Sequence, residues 1–533
     1  MVMIRVQDIK LTLEDDERVL SLKIAKKLRI KEADISRYTI VKEAIDARKK
    51  EDIKRVYTVD IKTPKEAEIL SKHPLLKAPT RTYSYPEKGD KFLKHRPVIV
   101  GAGPCGLFAA LILAQMGYNP IVLERGKAVE ERIKDVNQFW ETGQLDTNSN
   151  VQFGEGGAGT FSDGKLTTQI KNKRCYKVLE ELADAGAPSD ILYKNKPHVG
   201  TDILTEVVKN IRARIINLGG EFRFESKVTK ICIDNGQITA VEINDKEIIE
   251  TQIAVFAIGH SARDTFEMLH DAGIKIEQKP FAMGMRIEHL QEWIDEAQYG
   301  QYAGHPNLGA ADYKLVHHAQ NGRTVYSFCM CPGGYVIASA SEEGMVVTNG
   351  MSRHKRDSQN ANSAILVNIR PQDYEDEHPL AGMYLQRKFE RLAYELGGKS
   401  YRAPVQRIGD FLSNRASAGV GCVKPSYAPE VEFTNLRAHL PAFMTEAIDE
   451  GIRVFGKKIK YFDHEDALFT GFETRTSSPV RLLRDGLYQS SLKGLYPAGE
   501  GAGYAGGIVS AAVDGIEVAE AIIKEFRGIN KDI

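Results

Sequence analysis

The clearest chemical signal in this 533-residue chain is a glycine motif, G-x-G-x-x-G, formed by Gly101, Gly103 and Gly106. An apolar triplet precedes the motif and an apolar run follows it, which predicts a strand, a tight turn and a helix. The first glycine permits the turn, the second lets the backbone approach a pyrophosphate, and the third lets the helix pack closely on the strand. Pro104 and Cys105 would lie in the first helical turn, where unpaired N–H groups can bind phosphate.

An acidic residue completes this motif. Glu124 lies 23 residues after Gly101, at the end of the next predicted strand, and is followed by Arg125. A carboxylate at this place can bind the two ribose hydroxyls of an adenosine. A glycine-rich turn in an ordinary βαβ unit would not require the acid. Residues 97–125 therefore predict a bound adenine dinucleotide in a doubly wound α/β domain with a parallel sheet.

A second glycine string lies in the loop 148–168 and has the same spacing, but the sequence TFSDGK follows it instead of a helix. Dense glycines with polar neighbours suit close backbone approach to a flat ring or an anionic group. A turn-rich crossover loop would explain the same letters. The candidates for ligand contact in this loop are Gly157, Ala158, Gly159, Thr160 and Lys165.

A third glycine string, at 501–506, precedes an apolar helix near the end of the sequence. No second strand with a terminal acid follows it, so only one complete dinucleotide motif is present. We expect this segment to return to the first domain and to present a helix N-terminus to the ligand. The residues placed there are Gly506, Gly507 and Ile508.

Composition limits the class of protein. The chain has 72 basic and 72 acidic residues, and this zero formal charge argues against bulk polyanion binding. Six irregularly spaced cysteines are typical of a reducing compartment. No signal-peptide core and no apolar stretch approaching ~18 residues is found, so we expect a cytoplasmic protein that does not span a membrane.

Residues 1–85 have their own pattern, β-α-β-β-α, which is typical of a small ferredoxin-like α+β module. Residues 86–95 are expected to form a linker. The first 95 residues contain 23 basic and 16 acidic side chains, a net charge of +7. Such a module could contact RNA, but it lacks the aromatic stacking motif of common RNA-binding domains, so a solvated basic face is favoured.

Three segments, taken in order, resemble the FAD domain of the glutathione-reductase-type flavoproteins. They are the glycine motif through Glu124, AVFAIGH at 254–260 and LYPAGE at 495–500. The resemblance implies that FAD is the dinucleotide, that residues 96–275 and 480–533 form its domain, and that 276–479 form an inserted α+β domain on the substrate side. It also implies cofactor contacts from Val228, Ala257, Gly259, Gly499 and Glu500, the last standing where Asp is usual.

The whole chain resembles a bacterial and plastid family of uncharacterised FAD-dependent, NAD-utilising dehydrogenases. The resemblance rests on the strings at 149–168, 281–289, 328–334 and 499–512. It implies an FAD-dependent oxidoreductase acting on an unknown small molecule. If NAD(P)H reduces the flavin, it would visit the substrate cleft transiently. The helix at Gly507 and the side chain of Lys165 are then candidates to stabilise negative charge on reduced flavin.

The cysteines limit the mechanism. No cysteine occurs between Gly106 and Cys175, so the Cys-x4-Cys pair of flavin disulfide reductases is absent and that mechanism is excluded. Cys329 and Cys331 lie in CMCPGG, which lacks the partner pairs of a metal site, and we expect no metal. Two interpretations of this string remain open. The cysteines are small buried residues beside a turn, or one thiol lies near the flavin and reacts there. The candidate catalytic residues are Lys165, Cys329 and Cys331. Arg286 and His289 lie in the family string at 281–289, and an ion pair at a strand edge explains them equally well.

Two other functions fit the same sequence. One is an RNA-modifying flavoprotein in which residues 1–85 bind RNA. The other is a non-catalytic FAD-binding redox sensor or scaffold that uses the same module for protein contacts. Steeply salt-dependent RNA binding would favour the first, because phosphate contacts release counterions. The substrate and the oligomeric state cannot be inferred from these patterns.

Overall fold

The computed structural model describes residues 3–79 and 81–529. The N-terminal elements are β1 (Ile4–Leu11), α1 (Val19–Leu28), β2 (Arg37–Asp46), β3 (Lys54–Lys62) and α2 (Glu66–Lys72). The strands form an antiparallel sheet with β3 in the centre. Alternating side chains of β3, including Tyr57, Val59 and Ile61, are buried against Leu20 and Ile24 of α1. The observed order of elements is the predicted one.

The next part of the chain has an α/β pattern. Its elements are β4 (Lys91–Leu93), β5 (Val98–Val100), α3 (Pro104–Gln115), β6 (Ile121–Leu123), α4 (Val129–Thr142), α5 (Arg174–Asp184), α6 (Thr201–Asn217), β7 (Glu221–Arg223), β8 (Val228–Asp234), β9 (Gln237–Ile243), β10 (Glu247–Glu250), β11 (Ala254–Phe256) and α7 (Arg263–Asp271). Strands β8, β9 and β10 form a separate antiparallel meander.

The central part of the chain is richer in long strands. Its elements are β12 (Ile276–Gln278), β13 (Phe281–Leu290), α8 (Gln291–Tyr299), β14 (Val316–His318), β15 (Thr324–Cys331), β16 (Tyr335–Ala338), β17 (Thr348–Met351), β18 (Asn360–Ile369), α9 (Ala381–Leu396), β19 (Ala403–Arg407), α10 (Ile408–Leu412), β20 (Val431–Phe433), α11 (Ala442–Lys458), β21 (Leu468–Glu473) and β22 (Val480–Leu482).

Seven of these strands form one sheet, in the order β14-β15-β18-β13-β21-β19-β20. β13 and β18 pair in antiparallel register along their whole length, and every residue of β13 is buried. Side chains of this sheet and of α9 and α11 share the largest hydrophobic core of the described chain.

The last elements, β23 (Leu495–Pro497), α12 (Ile508–Glu525) and β24 (Phe526–Ile529), return to the α/β part. β23 completes a five-stranded parallel sheet with the order β23-β11-β5-β6-β7. α12 packs on α3, where a Cβ at Gly515 would lie 2.1 Å from the carbonyl oxygen of Cys105. β24 pairs with β4, so the stretch expected to be a linker contains a strand. Among the described helices, none has the length and apolar character needed to cross a membrane.

Candidate functional site

A cavity of about 360 Å³ lies at the carboxyl ends of the five parallel strands. The chain order reverses there, because β6 lies on one side of β5 and β11 on the other, and ligands of doubly wound sheets bind at such a switch point. Gly101, Glu124 and Ala257 directly follow three of the strands and line the cavity. Its opposite wall is one face of the seven-stranded sheet, including Cys329 and Glu473. The cavity therefore connects the two sheets.

The glycine motif forms the predicted strand, turn and helix. Gly101 has a φ of +102°, and a Cβ there would lie 2.5 Å from the carbonyl oxygen of Ala257. A Cβ at Gly106 would lie 1.9 Å from the carbonyl oxygen of Gly101, so only glycine lets α3 approach the turn. α3 begins at Pro104, and its N-terminus lies at the cavity. These N–H groups and the positive end of the helix dipole favour an anionic group.

The carboxylate of Glu124 is buried and holds the surrounding loops by accepting three backbone hydrogen bonds. Oε2 accepts from the N–H of Ala102 at 2.8 Å, and Oε1 accepts from Gly126 at 3.0 Å and Gly154 at 2.9 Å. The two oxygens of a carboxylate offer about four acceptor sites. Glu124 therefore supports the cavity wall and keeps acceptor capacity for a ligand hydroxyl.

Arg132 of α4 organises the glycine loop beneath the cavity and is completely buried. Its guanidinium donates to the carbonyl oxygens of Asn150, Val151 and Glu155 at 2.6–2.9 Å, and to that of Gly157 at 3.0 Å. Burial lowers the pKa of Arg132 to about 10, so the group stays cationic at neutral pH. One side chain thus fixes the loop that carries the second glycine string.

A second helix N-terminus meets the cavity at Gly506 and Gly507, where α12 begins. No heavy atom would lie within 4 Å of a Cβ added at either glycine, so open space faces this turn. Glu500 lines the same region, and burial raises its pKa to about 7, although the backbone of Gly507 and the cation Lys279 lower it. The carboxyl can therefore exchange a proton near neutral pH.

The wall formed by the seven-stranded sheet is built on a buried ion pair. Arg286 donates to both oxygens of Glu473, at 2.6 Å from Nε and 3.0 Å from Nη2, and to the carbonyl oxygen of Cys329 at 3.0 Å. Arg286 lies in β13, the central strand of the sheet, so the predicted strand-edge position was wrong although an ion pair is present. His289 is fully buried and its Nε2 contacts the carbonyl oxygen of Phe462. Burial raises the pKa of Glu473 to about 6.

Cys329 lies at a register shift between β15 and β18 and has a φ of +43°, which is unusual for a residue with a side chain. The thiol of Cys331 lowers the pKa of Cys329, and the cations Lys165 and Arg286 act in the same direction against burial. Cys331 is completely buried behind it, and its Sγ contacts the carbonyl oxygen of Cys329 at 3.3 Å. Only the first of these two cysteines lines the cavity.

A buried charge network supports the same wall. Glu390 of α9 is completely buried, and its two oxygens accept from Arg263 at 2.6 and 2.8 Å and from Arg475 at 2.7 and 3.0 Å. Arg475 lines the cavity beside His260. Burial and the guanidinium groups of Arg475 and Arg263 lower the pKa of His260 to about 3, so its ring is neutral at physiological pH.

Lys165 is half-buried at the cavity and forms no ion pair within the described part of the chain. The nearby carboxylate of Asp163 forms an ion pair with Arg356 instead. Arg356 Nη2 donates to Oδ2 at 2.6 Å, and Nε donates to Oδ1 at 2.9 Å. Burial would raise the pKa of Asp163, but Arg356 and Lys165 lower it. The amino group of Lys165 is therefore a cation available to a ligand.

Most of the sequence-predicted site residues meet in this one cavity. Those that line it are Gly101, Gly103, Pro104, Cys105, Glu124, Arg125, Gly157, Ala158, Gly159, Lys165, Val228, Ala257, Gly259, Glu500, Gly506, Gly507, Ile508 and Cys329. Four others do not line it: Gly106, Thr160, Gly499 and Cys331. Gly499 donates its N–H to Asp514 at 2.6 Å, and the carbonyl oxygen of Thr160 accepts from Thr201 at 2.8 Å, so both support the wall from behind.

Sequence reasoning missed the polar residues contributed by other strands and loops. They include Gln152, His260, Asn349, Glu473, Arg475 and Thr476. Two of them, Gln152 and His260, lie within glycine-containing segments whose polar members were not singled out. The others come from β17 and from the end of β21, far along the chain, and join the cavity only after the strands pack together.

Two family models match parts of this chain, one in the N-terminal module and one in the central part. Residues 280–476 match a family model described as FAD-dependent protein, C-terminal domain-like, and residues 3–62 match a domain of unknown function. An uncharacterized protein of Clostridium beijerinckii is 53% identical over 528 residues, covering 98% of this chain and 99% of the relative. A digeranylgeranylglycerophospholipid reductase of Haloferax volcanii is 27% identical over 168 residues, covering 31% of this chain and 35% of that protein.

Solved structures with partial similarity include two oxidoreductases. Glycine oxidase from Bacillus cereus is 12% identical, with a TM-score of 0.33 and coverage of 81% of this chain and 98% of that one. L-proline dehydrogenase from P. horikoshii is 14% identical, with a TM-score of 0.33 and coverage of 82% and 94%.

Proposed function

The chain belongs to the family of its Clostridium beijerinckii relative, an FAD-dependent oxidoreductase-like family, and from this premise we propose how the cavity is used. Glu124 and Val228 would hold the adenosine end of FAD, the N-terminus of α3 would hold its pyrophosphate, and the wall formed by the seven-stranded sheet would face its ring. This is the binding mode of the glutathione-reductase-type flavoproteins. One observation carries the proposal. A single cavity is lined by the dinucleotide turn, by two helix N-termini and by the thiol and carboxyl side chains of the seven-stranded sheet.

The residues of the cavity fit this cofactor. The free backbone N–H groups at the N-termini of α3 and α12 can donate hydrogen bonds to negatively charged groups of the cofactor. The space beside Gly506 and Gly507 is open. We also propose that residues 96–275 and 480–533 form the cofactor domain and 276–479 the substrate-side domain, since the cavity lies between their sheets.

FAD supplies hydride and electron transfer at its ring when bound. The chain's own contribution is positioning and local charge. Lys165 and the α12 N-terminus offer positive charge, Cys329 presents a thiol, and Glu473 and Glu500 can each hold a proton on a carboxyl oxygen near neutral pH. These groups suit a two-electron oxidation or reduction of a small molecule with coupled proton transfer.

The replacement Gly506→Val tests the placement of the cofactor. The new side chain has room in the folded protein but would occupy the proposed ligand space, so we expect normal folding and FAD affinity lowered about 100-fold, or about 2.7 kcal/mol. The matched control is Gly486→Val, an exposed glycine that also has no neighbour within 4 Å and lies outside the cavity. Equal FAD affinity for both variants in equilibrium dialysis would contradict the placement.

NAD(P)H is proposed as a transient electron donor that enters from the side of the seven-stranded sheet, since no second complete dinucleotide motif is present in the sequence. Anaerobic stopped-flow mixing of the FAD-loaded protein with NADH and with NADPH measures this directly. We expect bleaching of the flavin absorbance at a rate that saturates with one of the two donors. If dithionite bleaches the protein and neither nicotinamide does, the donor assignment is wrong while FAD binding stands.

The pH dependence of FAD binding should follow Glu500. Its pKa is raised from 4.5 to about 7, so the folded protein favours the neutral carboxyl. The stability that this preference contributes is fully present below pH 4.5 and is lost as the pH rises through about 7. The ionised carboxylate adds negative charge near the phosphates. We expect FAD affinity to fall by up to about tenfold per pH unit above 7 in the wild type and to stay flat in Glu500→Gln. If FAD affinity, measured by fluorescence titration, changes with pH in the same way for the wild type and Glu500→Gln, this role is refuted.

A further inference from the structure

A second group of chemically active side chains lies away from the cavity, at the opposite end of β21. Cys422 belongs to the loop between α10 and β20, and His464 and Asp466 lie in the turn before β21. One ligand atom from each of the three residues lies within 4.8 Å of the others. Among residues 3–79 and 81–529, this is the one such group of three or more His, Cys, Asp and Glu side chains.

We propose that Cys422, His464 and Asp466 form a binding site for a single zinc-type divalent ion. A thiolate, an imidazole and a carboxylate are ligands that Zn²⁺ accepts, and three protein ligands leave a fourth position for water. Cys422 is exposed and the other two are half-buried, so solvent can reach that fourth position. The site would fasten the loop 413–430 to β21.

The carboxylate is already held in place by its neighbours. Asp466 Oδ1 accepts from the guanidinium of Arg407, and Oδ2 accepts from the backbone N–H of Cys422 at 3.0 Å. A Cβ at Gly421 would lie 2.1 Å from Asp466 Cγ, so the loop backbone lies directly against the carboxylate. Outer partners of this kind orient a metal ligand and are typical of metal sites.

The imidazole is held by aromatic contact. The ring of His464 packs on Trp293, with ring centroids 4.5 Å apart. Nδ1 accepts from the backbone N–H of Asp466 at 3.2 Å, which places the ring lone pair on Nδ1. This contact is long for a hydrogen bond. A metal at Nδ1 would replace it.

Binding exchanges a proton for the metal. A cysteine thiol is ordinarily protonated at neutral pH and binds a metal only as the thiolate. The S–H bond breaks, the S–metal bond forms, and one proton passes to solvent, while the carboxylate and imidazole bind without further proton loss. The oxidation state of the metal does not change.

The test uses the full-length, FAD-loaded protein with Co²⁺ and Zn²⁺ as probes under reducing, anaerobic conditions. We expect the long-wavelength ligand-field bands of tetrahedral Co²⁺, which lie beyond flavin absorption, and displacement of Co²⁺ by one equivalent of Zn²⁺. A pH indicator should report release of about one proton per ion. Cys422→Ser and His464→Asn should each lower the Zn²⁺ affinity by at least about 100-fold, the upper end of what loss of an outer partner costs.

Cys175→Ser is the matched control, because in the described part of the chain this half-buried thiol hydrogen-bonds to a backbone carbonyl, that of Ile170, and otherwise packs against a hydrophobic core. It should bind both metals like the wild type. FAD content of all variants should be unchanged, which separates loss of the metal site from misfolding. The proposal is overturned if Co²⁺ gives only octahedral spectra, or if Cys422→Ser and Cys175→Ser bind Zn²⁺ with the same affinity.

Discussion

Replacement of Glu390 by glutamine is expected to lower the free energy of unfolding by about 3 to 5 kcal/mol, because two buried guanidinium groups would lose the buried carboxylate that they share and keep only the half-buried Glu342 as a counter-charge. Arg263 and Arg475 are almost completely buried, and each donates two hydrogen bonds to the Glu390 carboxylate. The amide N–H₂ of glutamine would also face the arginine N–H groups, so one of the two acceptor positions would be lost. Urea unfolding followed by circular dichroism measures the loss.

The same carboxylate gives a pH prediction with a definite sign. Burial alone would raise the pKa of Glu390, but Arg263 and Arg475 hold it well below the ordinary value of 4.5. A depressed pKa in the folded state stabilises the protein at pH above 4.5, and this stabilisation is lost as the pH falls below it. The wild type should therefore lose more stability than Glu390→Gln between neutral and acidic pH.

Glu267→Gln is the control for Glu390. Its carboxylate pairs with Arg387 at 2.7 Å, but its side chain is 38% exposed, so the expected cost is about 1 kcal/mol or less. A loss of less than about 1 kcal/mol in Glu390→Gln would show that the network contributes no more than a surface ion pair.

Replacement of Arg132 by methionine is expected to have the second large effect. The methionine fills part of the volume but removes the guanidinium donors from the carbonyl oxygens of the loop 150–157, and hydrogen bonds to a charged group contribute about 1.5 to 3 kcal/mol each. Relaxation of the loop will offset part of this. We expect a net loss of about 3 kcal/mol or more and purification of a protein with little bound FAD.

The readouts for Arg132→Met are urea unfolding and the ratio of flavin to protein absorbance. Lys134→Met, on the same helix with a 70% exposed side chain, should match the wild type in both. Full flavin content in Arg132→Met would mean that the loop keeps its conformation without the guanidinium, and the assigned role would then be wrong.

The dinucleotide half of the site could be predicted from sequence because its parts are local. Within 97–125 the strand, turn, helix and acid follow each other along the chain, and each has a distinct residue signature. The order of elements in the N-terminal module was predictable for the same reason. The cofactor agrees with the family match over 280–476, a region that shows no dinucleotide motif of its own.

The other half of the site could not be predicted, because it depends on pairing between distant strands. Glu473 and Arg475 reach the cavity because β21 pairs with β13, and Asn349 comes from β17, which belongs to a separate two-stranded sheet with β16. Arg132 presents a related difficulty. In the sequence it is surrounded by charged residues of α4, a pattern typical of an exposed arginine. In the structure it is buried because the glycine loop packs over it.

The position of β11 in the parallel sheet has a consequence for biosynthesis. β11 lies between β5 and β23, so its two neighbours are contributed by residues near 98 and near 496. At about 5 to 20 residues per second, a ribosome needs on the order of 20 to 80 seconds between these segments. In the part of that interval that follows synthesis of residue 256, one edge of β11 is unpaired, and α3 lacks the helix that covers it. The cavity is therefore complete only after β23 and the first residues of α12, near residue 508, have been synthesised.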